Sequence, residues 1–79
     1  MGHYIPYQSA KNYAAHRCRH VIIKLNDVAN KTGAYEKLKE HMEECEGGWT
    51  VEWLYRTREV KVYSKDEEAL TFVSMLSEG

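Results

Sequence analysis

Seventy-nine residues, 43% apolar and 29% charged, describe one soluble globular domain and exclude a disordered chain. The longest aliphatic stretch is Val21-Ile22-Ile23, far short of the roughly 18 apolar residues of a membrane span. The net charge of −1 hides an asymmetry, because all twelve acids lie from Asp27 onward while Lys11, Arg17, Arg19 and Lys24 precede them, with His3, His16 and His20.

Like charge gathered in one segment biases what can approach it. Residues 1–26 are cationic, and 27–46 carry three Lys against six acids. An acidic partner is therefore expected, or a second copy whose acidic helix meets the basic arm. A core of this size is marginal alone, which also makes a homodimer an expectation. The N-terminus lacks the apolar core of a signal peptide, so the expected compartment is the cytoplasm, with Cys18 and Cys45 as free thiols.

In chain order, residues 1–17 read as a partly ordered arm packed by Tyr4, Tyr7 and Tyr13, with Ser9 capping a short helical turn through Ala15. Residues 18–79 read as the single α+β domain. Arg19–Asn26 is a strand, since Val21, Ile23 and Leu25 alternate with His20, Ile22 and Lys24. Asn26-Asp27 caps a helix running to Cys45, with Val28, Tyr35, Leu38, Met42 and Cys45 on one stripe. Gly33 weakens its first half, so a start near Thr32 is an alternative. Gly47-Gly48 ends it.

Trp49–Arg58 is the strongest strand, with Trp49, Val51, Trp53 and Tyr55 on one face and Thr50, Glu52, Leu54 and Arg56 on the other. A short hairpin at Thr57–Glu59 leads to a returning strand, Glu59–Ser64. Ser64-Lys65-Asp66-Glu67 reads as a capping box in which the Ser64 hydroxyl takes the Glu67 amide. Ala69, Phe72, Val73 and Leu76 form the buried stripe of the final helix.

The order arm–β–α–β–β–α fits a two-layer α+β sandwich with both helices on one sheet face. It matches the ferredoxin-like split β-α-β pattern except for a last strand. That strand comes from the arm, from a partner chain, or from nowhere.

If the tryptophans face the helices, the open face shows His20, Ile22, Lys24, Thr50, Glu52, Leu54, Arg56, Lys61 and Tyr63. A mixed cationic, aromatic and aliphatic surface suits a protein contact. Tyr13, Arg17, Arg19, His20, Lys24, Arg56, Lys61 and Tyr63 are the expected partner-binding residues. Single-stranded nucleic acid is the alternative, with bases on Tyr63 and phosphates on the cations, although Glu52 would repel phosphate. A solvated sheet face is the plain structural reading.

Metal or thiol chemistry would draw on His16, Cys18, His20, His41 and Cys45. The first three alternate along an extended chain, and the last two are four apart on a helix. Their spacing matches no usual zinc signature. No metal or other cofactor is expected, and no catalysis, because no nucleophile sits beside an oriented base and no glycine pattern cradles phosphate.

The segment Val60-Lys61-Val62-Tyr63-Ser64-Lys65-Asp66-Glu67-Glu68-Ala69-Leu70-Thr71-Phe72, following Trp49–Trp53, resembles the strand–turn–helix close of small uncharacterised accessory proteins of large tailed bacteriophages. The resemblance covers the last third. It implies a viral accessory protein that binds a host or viral factor in the host cytoplasm, and it carries over no functional residue.

Overall fold

The computed structural model describes residues 3–25 and 31–77, with backbone alone for 13–17, 31 and 32. In chain order the elements are β1 (His3–Tyr4), α1 (Tyr7–Arg17), β2 (Arg19–Lys24), α2 (Lys31–Met42), β3 (Gly48–Leu54), a 3₁₀ turn (Tyr55–Thr57), β4 (Glu59–Ser64) and α3 (Glu67–Ser74). They form an α+β fold around one four-stranded mixed sheet of order β1-β3-β4-β2.

The centre of the sheet follows from alternation. β4 pairs antiparallel with both β2 and β3, so those two run parallel with β4 between them and α2 as the connection. Register places Val21, Val62 and Val51 in one row and Ile23, Val60 and Trp53 in the next. These rows meet Leu38 and Met42 of α2 and Ala69, Leu70 and Val73 of α3 in a single core. The inner face is the one the alternation predicts.

The fourth strand comes from the arm and lies at the β3 edge. β1 runs parallel to β3, pairing His3 with Gly48 and Tyr4 with Trp49, and the Ile5 N–H donates to the Trp49 carbonyl at 2.8 Å. Gly48 makes room for it, since a Cβ there would lie 2.5 Å from Ile5 Cδ1. Tyr4 fixes the strand from the inner side. Its ring meets Tyr35 edge-on at 5.1 Å and Trp49 at 4.9 Å, joining β1, α2 and β3 through aromatic contacts.

Several boundaries differ from the sequence reading, each for a local reason. α1 starts behind Pro6, whose carbonyl accepts from Ser9 and Ala10 at 3.0 and 3.2 Å. Proline at a helix start loses no useful donor, so Ser9 lies inside the first turn instead of capping it. α2 carries Ala34, Leu38 and Met42 buried, and Tyr35 half-buried. The expected cap at Asp27 and the Val28 contact lie outside the described residues. β3 stops at Leu54, because a 3₁₀ turn and Arg58 in the left-handed region (φ 57°) make the reversal where no Asn-Gly is present. Tyr55 and Arg56 therefore belong to the turn.

α3 is capped by Asp66, not by Ser64. The Asp66 carboxylate accepts from the Ala69 N–H at 3.2 Å, and the Ser64 hydroxyl accepts from the Asp66 N–H at 3.1 Å. The helix turns accordingly. Leu70 is buried and Phe72 is 53% exposed, the reverse of the expected stripe at those two positions. Among the described residues no helix is long and apolar enough to cross a membrane.

Candidate binding surface

The outer sheet face consists of three cross-strand rows. His20, Tyr63 and Thr50 form one; Ile22, Lys61 and Glu52 form the next; Lys24, Glu59 and Leu54 form the last. The sequence predicts this set with Arg56 added and Glu59 left out. What it does not predict is that the chain covers part of the face itself.

α1 lies across the first row. Ala10 is buried, Thr50 is 3% exposed and Tyr63 5% exposed, and a gap of only about 10 Å³ remains between Ala10, Cys18, Thr50 and Tyr63. Tyr7 stands 5.9 Å from the Tyr63 ring, and His20 stands 5.5 Å from it on the other side. Burial, then the neighbouring Tyr63 and Glu52, push the Tyr7 hydroxyl above its ordinary value of 10.0. Tyr7 and Ala10 are three apart, and that spacing is the sequence signal for a helix face that the scattered tyrosines conceal. The arm therefore clasps the sheet, with Tyr4 on the inner side of the β3 edge and α1 on the outer side.

The two remaining rows stay uncovered towards β2. Ile22 is 50% exposed, Lys24 is exposed, and Lys61 is partly so, with Nζ 5.3 Å from the Tyr63 ring centroid. Glu59 stands opposite Lys24 and Glu52 opposite Lys61, so acid and base face each other across strands. The surface sets a large aliphatic group and Lys24 on the acid-free β2 beside Lys61 of β4, with Glu59 and Glu52 next to the two lysines.

The other predicted contact residues are dispersed. Tyr63 lies on the outer face but beneath α1. Arg19 lies on the helix side, where its exposed guanidinium pairs with Glu67 of α3; such a pair adds little stability. Arg56 sits in the 3₁₀ turn, exposed. Tyr13, His16 and Arg17 belong to α1, and their side chains lie outside the described residues.

The candidate metal ligands whose side chains are described, Cys18, His20, His41 and Cys45, do not assemble. Cys18 lines the gap under α1 on the outer side, whereas Cys45 belongs to the inner core, with its Sγ donating to the Gly47 carbonyl at 3.6 Å. His20 lies against Tyr63, and His41 Nδ1 is 3.1 Å from the Lys37 carbonyl of its own helix. Among the described residues no three His, Cys, Asp or Glu side chains converge as a metal requires. Burial raises both thiols above the ordinary value of 9.0, although Lys65 partly offsets this at Cys18 and the Ser64 hydrogen bond at Cys45. A reactive thiolate needs the opposite shift.

The acidic end of the molecule is committed to structure. Besides capping α3, Asp66 accepts from the Glu46 N–H at 3.1 Å, so one carboxylate ties the turn after α2 to the start of α3. The Ala69 and Glu46 amides hold its carboxyl below the ordinary 3.8. Sequence spacing gives no hint of that tie, which spans twenty residues. No family model, curated protein or solved structure matches the chain.

Proposed function

We propose that this protein is a small non-catalytic binding module that engages a protein partner through the uncovered part of its outer sheet face. The supporting observation is the half-exposed Ile22 beside Lys24 on the acid-free β2, with Lys61 opposite on β4, in the part of the outer face that α1 leaves uncovered. A surface that mixes an exposed aliphatic group with cationic side chains has the make-up of a protein contact. The cations favour an acidic partner, and the cytoplasm of a cell infected by a tailed bacteriophage is the proposed setting.

Nucleic-acid binding loses its main support, because Tyr63, the aromatic platform that reading needs, lies under α1. The raised thiols, and the lack of a His, Cys, Asp and Glu cluster among the described residues, give no support to a metal or nucleophile centre.

The test compares the native chain with an Ile22→Asp, Lys24→Glu double variant in affinity capture from host extract. Captured proteins are then purified and titrated by calorimetry. A partner that binds the native chain, weakens as salt rises and fails to bind the folded variant supports the reading. Equal binding by both chains places the contact elsewhere and removes it. Light scattering across concentration decides whether the partner is a second copy.

A further inference from the structure

The two edges of the sheet are unequal. At the β3 edge Val51 is 0% exposed, and β1 occupies Gly48 and Trp49. At the other edge β2 has no neighbouring strand among the described residues beyond β4. Hydrogen-bonding direction alternates along an antiparallel strand. The Leu25 N–H donates to the Arg58 carbonyl at 2.9 Å, which points the polar groups of residues 25, 23, 21 and 19 towards β4. Those of His20, Ile22 and Lys24 therefore point outward. The Lys24 N–H is taken at 3.0 Å by the Ser77 hydroxyl, which closes that end of the edge. His20 and Ile22, both exposed, present two N–H and two C=O groups to a further strand.

We infer that the β2 edge receives an extended acidic segment of a partner protein, which pairs with the backbone of His20 and Ile22 and becomes the fifth strand. This rests on the outer-face reading above for its lysines and adds the mode of binding. Main-chain pairing supplies the hydrogen bonds, and alternate side chains of the segment fall beside His20, Ile22 and Lys24 on the outer face.

Charge selects the occupant. A second copy paired antiparallel about Ile22 would set His20 against the other copy's Lys24 and bring two strands with no acid together. Each strand carries Arg19 and Lys24 and no acid, so like charge opposes their approach, and lysines on edge strands commonly prevent such pairing. A segment alternating carboxylates with aliphatic residues meets the same edge with opposite charge.

The experiment uses the full isotope-labelled chain and a capped eight-residue peptide alternating Glu and Val. Two further peptides serve as comparisons: one with Lys for Glu, and one N-methylated at alternate amides so that it cannot pair as a strand. The expected result is shift changes centred on β2 and exchange at the His20 and Ile22 amides slowed about tenfold or more by the Glu/Val peptide alone. Ile22→Pro removes one outward donor and should abolish the effect while sparing the bonds to β4, since proline is tolerated where an edge N–H faces solvent. If that variant does not fold, the comparison between the methylated and unmethylated peptides on the native chain decides.

Equal binding by those two peptides overturns strand pairing and leaves face docking standing. No binding of the Glu/Val peptide at millimolar concentration overturns the acidic segment, while the capture test still judges the face. Slow exchange at His20 and Ile22 without peptide, together with a mass that doubles with concentration, assigns the edge to a second copy and overturns the proposal.

Discussion

Thr50 is the residue whose environment fits it least. Its hydroxyl is buried under α1 and has no hydrogen-bond partner among the described residues. An unmatched buried hydroxyl carries its desolvation cost with no return. Thr50→Val keeps the shape and should raise stability by about 1 kcal/mol in urea unfolding; a loss of stability would show that the hydroxyl is bonded in solution. Asp66 is the opposite case, since its carboxylate serves two backbone donors on separate segments. Its carboxyl titrates below 3.8 in the fold, so its contribution is present above the unfolded value and is lost as pH falls through the lower, folded one. Asp66→Asn should lower the melting temperature at pH 7 and narrow the gap from the native chain as the pH drops below about 4. A gap that stays constant across that range would remove the role of ionisation.

The arm is the element that changes most between sequence and structure. Read along the chain, 1–17 has scattered tyrosines and no clean period. In three dimensions it splits at Pro6 into an edge strand and a covering helix, each anchored by a different tyrosine. Ala10 is the small residue that lets α1 lie close over Thr50. Ala10→Glu puts a charge into that contact and should lift α1. Amides of α1 should then exchange faster while those of β4 stay protected, as expected of separate cooperative units. Uniform loss of protection would mean that the clasp and sheet unfold as one. β2, β3, β4 and α2 were legible because each alternates or repeats against one core. The cap of α3 was not, since Ser64 and Asp66 are both good caps and only the observed helix start separates them.

At the scale of the molecule, one core holds α2 and α3 against the inner face of the sheet. Leu38 is fully buried between α2 and the strands. Leu38→Ala should cost about 2–5 kcal/mol, a large share of the stability of a domain this small, and cooperative melting at 37 °C should be lost or nearly so. A shift of only a degree or two would mean that the neighbouring side chains collapse into the space. The distribution of charge also takes its meaning at this scale. Arg19 turns to the helix side and meets Glu67, whereas Lys24 remains on the outer face beside Ile22.

The sequence by itself determined β2, β3 and β4 and the inner face they share, the Tyr35, Leu38 and Met42 stripe of α2, and the acid-free character of β2. All of these follow from period and composition, which act locally. Only the tertiary structure decided that the arm supplies the fourth strand, that α1 buries Tyr63, and that β2 is left as the exposed edge. Those outcomes depend on which surfaces of the folded sheet remain to be covered. A weakly periodic segment is placed by the shape it meets, and the 3₁₀ reversal and the Gly48 approach that set that shape are not visible in hydrophobic spacing.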